Sequence, residues 1–422
     1  MKARLKKYLK IIGPGFVTGA SDDDPSGIAT YAQTGAIFGY SQLWTALYSY
    51  PFTTVIQEMC GRIGVVTGKG LSGVIRKYYS KPVLFGVVGL LFIANTINIG
   101  ADLGAMASAG QMLWGIPFNF WLIAMAALTL VLEVFVSYKT YAKFLKYLTL
   151  SLFAYVITAF IVKQDWVMVI KSTLVPTISL QKDYLLNIVA ILGTTISPYL
   201  FFWQTGEEVE EEVEAHKLRT MGEGIPRINN SDIHDMQKDT IFGMLFSNLV
   251  MFFIIATTAA TLHTHGITNI ETATQAAQAL RPLAGDFSFL LFALGVIGTG
   301  LLAMPVLAGS ASYAISEAFG WREGLSRKFN KAPGFYAVIA IATVVGLLIN
   351  FLHIPPFKML YYSAVTNGII APPLLIMIVL IARNQNIMGK HTSTGFSTVM
   401  GWIIAGVMGL AALLLLYTQF FH

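Results

Sequence analysis

Residues 21–27 read SDDDPSG and place three adjacent carboxylates directly before a proline. Pro25 has no backbone N–H and disfavours helical dihedrals in the residue before it, Asp24. Gly27 tolerates backbone dihedrals that other residues avoid. We therefore predict unwound backbone here, with carbonyl oxygens beside a carboxylate. Carboxylate, carbonyl and water oxygens are the ligands that Mg²⁺, Ca²⁺ and Mn²⁺ prefer.

A second candidate break lies at residues 193–204, which read GTTISPYLFFWQ. Pro198 cannot donate a hydrogen bond to the carbonyl of Thr194, so we expect that oxygen to be available. Thr194, Thr195 and Ser197 add hydroxyl groups. The two breaks together offer oxygen ligands but no thiolate, thioether or imidazole, and this favours a hard divalent cation.

These residues lie in long apolar segments that have to position them. Of the 422 residues, 55% are hydrophobic and 12% are charged, about half the charge of a soluble domain. Apolar runs of about 20 residues predict membrane-spanning helices, and we identify eleven in the chain. They cover residues 13–40, 42–60, 83–112, 117–138, 143–163, 186–206, 240–263, 286–312, 334–353, 359–382 and 398–420. The composition predicts an all-α polytopic membrane protein.

The distribution of basic residues predicts the orientation in the membrane. With the N-terminus in the cytoplasm, all but five of the 28 Lys and Arg residues fall on the cytoplasmic side, and the C-terminus lies outside. The five on the outer side are Lys163, Lys171, Lys182, Arg281 and Lys358. We do not interpret the basic start of the chain as a signal peptide, since no cleavage site follows a short apolar core. The single cysteine, Cys60, excludes disulfides within the chain.

The two breaks fall in segments one and six, which are five positions apart in the order of the helices. Interruptions at corresponding places in two halves are typical of transporters built from inverted repeats. A carboxylate at membrane depth is a functional candidate by default, although a lone proline such as Pro198 also produces simple kinks. Asp22 and Asp23 either face a water path or are solvated where the helix unwinds. The acidic stretch after residue 206 is predicted to be a solvated extension of helix six, or else a vestibule that gathers cations.

Four stretches resemble one family of membrane proteins. Residues 13–44 resemble the first helix of the natural-resistance-associated macrophage protein (NRAMP) family of divalent-metal transporters, in which the motif reads Asp-Pro-Gly-Asn. Residues 60–75, 100–110 and 276–285 are similar to the end of helix two, to helix three and to the stretch before helix eight. The resemblance implies a LeuT-type fold, with residues 13–163 as a first inverted repeat, 186–383 as a second and 398–420 as an extra helix. It also implies that Asp24 is the metal-binding aspartate.

The departures from the family pattern concern the site itself. Gly27 stands where the family has a ligating asparagine, and Ser197-Pro198-Tyr199 replaces Met-Pro-His. Gln204 aligns with a second histidine, and Asp102 remains in helix three while Ala105 replaces a glutamate. The sulfur that favours transition metals and the histidines linked to proton movement are therefore missing.

This pattern is similar to that of NRAMP-related magnesium transporters, a subgroup in which a wider site is thought to take a largely hydrated Mg²⁺ and to accept Mn²⁺. Mg²⁺ gives up water reluctantly, and small residues at positions 27 and 197 are expected to make room for that water. Asp102 is either a pathway residue or a relic that forms hydrogen bonds inside the bundle. We expect transport without strict proton coupling.

The sequence thus predicts a secondary transporter of the inner membrane that imports Mg²⁺ by alternating access. We expect no enzymatic activity, no resident cofactor and no nucleic-acid partner, and we expect a monomer in the lipid bilayer. A proton-coupled Mn²⁺/Fe²⁺ transporter and, less favoured, an amino-acid or cation symporter of the same fold are the alternatives. The predicted metal site consists of Asp24, Gly27, the carbonyls of Ser21 and Thr194 and the hydroxyl of Ser197, with Asp23, Asp102, Tyr199 and Gln204 as pathway residues.

Overall fold

A computed structural model describes residues 13–136, 149–352 and 354–421, and these residues are almost entirely helical. The first α-helices are α1 (Pro14–Asp22), α2 (Pro25–Phe38), α3 (Trp44–Thr67), α4 (Leu71–Tyr78), α5 (Lys81–Trp114), α6 (Phe118–Phe135), α7 (Phe153–Ile161) and α8 (Trp166–Leu174). They continue with α9 (Lys182–Thr195), α10 (Pro198–Glu214), α11 (Asn230–Thr261), α12 (Ala273–Ala277), α13 (Arg281–Ala284), α14 (Ser288–Phe319), α15 (Pro333–Ile349), α16 (Pro356–Ala382), α17 (Gln385–Met388) and α18 (Gly395–Phe421). The all-α polytopic fold class is confirmed.

Both predicted breaks are present. Segment one is divided into α1 and α2 by Asp23 and Asp24, and segment six is divided into α9 and α10 by Ile196 and Ser197. In each case a proline occupies the first turn of the second helix, where its missing N–H costs nothing. The chain therefore ends one helix and starts another instead of bending a continuous one.

The described helices support most of the predicted membrane spans by length and composition. Eight spans meet both requirements, and a ninth does if residues 150–161 and 166–174 form one span bent by 120°. Segment one is missing from this set because three aspartates lie near its centre, and α3 because polar side chains such as Gln57, Glu58 and Arg62 lie in it. The count of eleven stays a prediction, as does the division into two repeats. Residues 143–148 of segment five lie outside the described residues.

The broken helices lie at the centre of the bundle, where α11 packs along α1, α2 and α3. Glycines allow the closest approaches. A Cβ atom on Gly19 would lie 2.1 Å from the carbonyl oxygen of Gly243, and one on Gly193 would lie 2.0 Å from that of Ala364. Such close helix contacts through small residues are typical of membrane bundles. They bring backbone from α11 and α16 against the helices that carry the breaks.

Candidate metal site

The two breaks face each other across the bundle. The position of a Cβ atom on Gly27 lies 3.4 Å from the Thr194 hydroxyl. One turn further along α2, the Tyr31 hydroxyl is 3.2 Å from the hydroxyl of Thr195. The structure thus brings together the two stretches that the sequence analysis singled out, although they are about 170 residues apart.

Asp24 is fully buried and caps α2 with one of its two carboxylate oxygens. Its Oδ1 accepts hydrogen bonds from the Gly27 backbone N–H (2.7 Å) and the Ser26 hydroxyl (2.6 Å). Its Oδ2 accepts from the Tyr199 hydroxyl (3.2 Å) and, more weakly, from the Asn98 amide (3.3 Å). One oxygen therefore holds the helix start, while the other points towards α5 and α10.

Tyr199 connects the two breaks directly. Its hydroxyl lies 3.2 Å from Asp24 Oδ2 and 3.1 Å from the carbonyl oxygen of Ser21, so its single proton is shared between two acceptors. The sequence predicts Tyr199 as a residue of the ion pathway. In this conformation its hydroxyl contacts Asp24, the predicted charged ligand. The carbonyl oxygen of Ser21, a predicted ligand, accepts a hydrogen bond from Tyr199. The hydroxyl group of Ser21 has no hydrogen-bond partner among the described residues.

The Thr194 carbonyl already accepts one hydrogen bond in this conformation, so its role as an ion ligand stays a prediction that depends on its second lone pair. The Ser197 hydroxyl donates to the carbonyl oxygens of Gly193 (2.8 Å) and Thr194 (2.7 Å). The hydroxyl takes the place of the N–H that Pro198 lacks, as serine side chains often do next to helix ends. An ion could reach Ser197 only through the remaining lone pairs of its oxygen.

The small side chain at position 27 does not leave an open space here. A Cβ atom on Gly27 would lie 2.9 Å from the carbonyl oxygen of Asp22 and 3.4 Å from the Tyr31 ring. The missing side chain is thus replaced by backbone and ring atoms that approach Gly27. The expectation that this residue makes room for water is wrong for the conformation described.

Asp22 and Asp23 are buried, so the alternative that they are solvated is wrong. The Ser247 hydroxyl on α11 lies 2.5 Å from Asp22 Oδ2 and 3.5 Å from Asp23 Oδ1. The other carboxylate oxygen of each has no hydrogen-bond partner among the described residues. Asp102 is also buried, and neither of its carboxylate oxygens has a partner in the described parts of the chain.

Gln204 lies between α1 and α10, one and a half turns from Tyr199. Its Oε1 is 2.5 Å from the Thr18 hydroxyl, and its Nε2 donates to Glu208 (2.7 Å). These hydrogen bonds connect α1 to α10 on the side of the bundle that was predicted to be cytoplasmic.

The acidic end of α10 is less solvated than predicted. The helix does extend to Glu214, but Glu208, Glu210 and Glu212 are 4–6% exposed. Glu210 accepts hydrogen bonds from the Leu325 and Ser326 backbone N–H groups and from a tyrosine hydroxyl. These donors come from α14 and the loop after it, more than 100 residues away, so the charge pattern alone gave no sign of them.

Two asparagines on α5 that are not part of the predicted site lie close to its helices. Asn98 contacts Asp24 and belongs with it, and its Oδ1 has no partner among the described residues. Asn98 lies one helical turn before Asp102, and this spacing was the feature of the sequence that could have identified it as a site residue. Asn95 instead donates to the Leu307 carbonyl and the Ser310 hydroxyl, and so fixes α5 against α14.

The arrangement is suited to a cation held by few charges and many neutral oxygens. Among residues 13–136, 149–352 and 354–421, no group of three or more His, Cys, Asp or Glu side chains is placed to hold a metal ion. Asp24 has no accessible surface, so the site is closed to water on both sides in this conformation. The groups nearest to it are a phenol, an amide, a hydroxyl and backbone.

The sequence is similar to those of known membrane transporters. The sequence model of the Nramp family, described as natural resistance-associated macrophage protein-like, matches residues 15–418. The chain is 27% identical over 437 residues to the divalent metal cation transporter MntH of Clostridium acetobutylicum, covering 99% of this chain and 92% of the relative. It is 26% identical over 406 residues to MntH of Bacillus subtilis, covering 94% of this chain and 89% of the relative.

Solved structures show the same fold. The manganese transporter of Eremococcus coleocola, in complex with an aromatic bis-isothiourea compound, superposes with a TM-score of 0.79 at 16% identity, covering 99% of this chain and 88% of that one. Mhp1, a nucleobase-cation-symport-1 family transporter in a closed conformation, superposes with a TM-score of 0.62 at 13% identity, covering 96% and 91%. The predicted LeuT-type fold is confirmed, and the match over residues 15–418 shows that this chain belongs to the natural resistance-associated macrophage protein-like family.

Proposed function

We propose that this protein is a divalent metal transporter that imports Mg²⁺, and also accepts Mn²⁺, into the cell by alternating access and without proton coupling. The ion binds largely hydrated between the breaks at Asp24 and Ser197. The protein works as a monomer in the plasma membrane, with its N-terminus in the cytoplasm and its C-terminus outside. Its relatives of similar sequence are named divalent metal cation transporters, which supports the transport of divalent metals and gives no support to an enzyme.

The observation that carries the proposal is an excess of buried oxygen acceptors at the first break. Oxygens of Asp22, Asp23, Asp102 and Asn98 have no donor among the described residues, and in these residues no cationic side chain pairs with them. Uncompensated buried carboxylates are costly. A divalent cation supplies the missing positive charge, and the absence of sulfur and imidazole from the contacts of Asp24 favours a hard ion.

The proposed entry route begins at a cavity near the opposite end of α2. A cavity of about 210 Å³ lies between α2, α9 and α16 and is lined by Gln33, Asp183 and Asn269 among others. Gln33 follows Asp24 by nine residues, which is about 13 Å along a helix. An ion from this cavity reaches Asp24 when α2 separates from α9 and α16, and the same movement opens the space beside Gly27 that a hydrated ion requires.

The test is ion uptake by purified protein in proteoliposomes that contain a Mg²⁺-sensitive dye, with a pH-sensitive dye in parallel vesicles. We expect saturable Mg²⁺ entry, competition by Mn²⁺, and no acidification of the interior. A flux that never saturates would indicate a channel and contradict alternating access.

A proton-coupled manganese transporter is the second candidate, because the similar fold of Eremococcus coleocola is that of a manganese transporter. Entry of Mn²⁺ together with protons, with no entry of Mg²⁺, would establish this candidate instead. The proposal of magnesium selectivity would then be wrong.

A further inference from the structure

A second cavity lies far from the metal site, where α4, the end of α14 and the loop after α10 meet. Its volume is about 440 Å³. Five cationic side chains line it, and they come from two separate stretches of the chain: Lys69, Arg76, Lys77, Arg322 and Arg327. In the predicted topology both stretches are cytoplasmic.

The carboxylates that share this cavity do not neutralise it. Glu317 is buried, and its two oxygens accept hydrogen bonds from the backbone N–H groups of Gly70 (2.5 Å) and Gly73 (3.0 Å) at the start of α4. Its charge is thus directed at a helix N-terminus, where it is stabilised. Glu223 is exposed on the rim. In the described residues none of the five cations forms an ion pair.

Two titratable groups of the cavity have shifted pKa values. Burial, and then the neighbouring charge of Lys77, lower the pKa of Lys69. Burial, and then the charges of Glu317 and Glu210, raise the pKa of Glu323 well above its ordinary value, which favours the neutral form of this carboxyl. The five cationic side chains that line the cavity therefore outnumber its charged carboxylates, and this favours an anion there.

Aromatic side chains place the cavity at the membrane surface. The Phe319 ring lies 5.8 Å from Phe85 near the start of α5 and stacks at 5.2 Å on Trp321, which itself lines the cavity. All three are exposed by 46–54%. Exposed aromatic residues at the ends of spanning helices are typical of the lipid headgroup region.

We propose that this cavity binds the phosphate headgroup of an anionic phospholipid, with Lys77 and Arg322 among its contacts and the acyl chains lying along Phe85 and Phe319. Arginine forks bind phosphate through two parallel hydrogen bonds, and basic pockets between membrane helices on the cytoplasmic side bind anionic lipid headgroups. The proposal does not depend on which ion the protein transports.

The test is native mass spectrometry of the full-length protein in detergent, titrated with cardiolipin, phosphatidylglycerol or phosphatidylcholine. The double variant Lys77→Gln with Arg322→Gln removes two exposed charges from the cavity. We expect the wild type to prefer the anionic lipids, and the variant to bind them about tenfold or more weakly. The matched control is Lys328→Gln with Lys331→Gln, which removes two exposed charges from the same loop outside the cavity and is expected to bind like the wild type.

Glu223→Gln provides a test in the opposite direction, because it removes a negative charge from the rim and is expected to strengthen lipid binding. Equal binding by the wild type and the cavity variant, or an equal loss in the control, would overturn the proposal. Displacement of the lipid by millimolar tripolyphosphate that itself binds lipid-free protein would identify a soluble phosphate compound as the ligand, and would overturn the assignment to a lipid.

Discussion

Asp24 has two roles that one substitution separates. It caps α2 through Oδ1, and it is the proposed charged ligand of the ion. Asparagine caps helices about as well as aspartate but has no charge, so we expect Asp24→Asn to fold normally and to lose Mg²⁺ uptake to the background level. Asp165→Asn is the matched control, since Asp165 also caps a helix, α8, but lies outside the site. Wild-type uptake by Asp24→Asn in proteoliposomes would remove this residue from the mechanism.

Ser197 tests the origin of ion selectivity. A thioether ligand favours softer ions, so we expect Ser197→Met to increase uptake of Mn²⁺ and Cd²⁺ relative to Mg²⁺ by roughly tenfold. Ser197→Ala removes the hydroxyl without adding sulfur and separates the two effects. An unchanged ratio in competition assays with Ser197→Met would mean that other residues determine the selectivity.

At the scale of the elements, α1 depends on a cap from another helix. Asp239 on α11 accepts hydrogen bonds from the backbone N–H groups of Gly13 (3.0 Å), Gly15 (2.7 Å) and Phe16 (3.2 Å). Hydrogen bonds to a charged group contribute about 1.5–3 kcal/mol. We expect Asp239→Ala to lower the melting temperature by several degrees in scanning fluorimetry. Asp235→Ala, one turn earlier on the same helix and exposed, should change it little.

The elements also show what the sequence could and could not predict. Proline positions located both breaks, because the loss of a backbone N–H is a local effect. The ion pair between Glu58 and Arg62 was also predictable, because the two residues are four positions apart on one helix. The Arg62 Nε donates a hydrogen bond of 2.8 Å to Glu58. The cap by Asp239 and the burial of Glu210 were not predictable, because their donors lie more than 100 residues away in the chain.

At the scale of the whole molecule, the proposed orientation is open to a direct test. Cys60 is buried and is the only cysteine, so a new exposed cysteine should dominate labelling in intact cells. We expect a membrane-impermeant maleimide to label Thr177→Cys from outside and to leave Ser326→Cys unlabelled until the cells are opened. The reverse pattern would invert the topology and would place the basic cavity on the outer surface.

The driving force is the last property that belongs to the molecule as a whole. A divalent ion that crosses alone gains about 4–5 kcal/mol per 100 mV of inside-negative potential, which allows accumulation of more than about a thousandfold. We expect Mg²⁺ uptake into proteoliposomes to rise with the imposed potential and to be unaffected by a pH gradient at constant potential. Vesicles with Asp24→Asn control for leakage. If a pH gradient alone drives accumulation, protons move with the ion, and acidic groups such as Asp102 then become the candidates for carrying them.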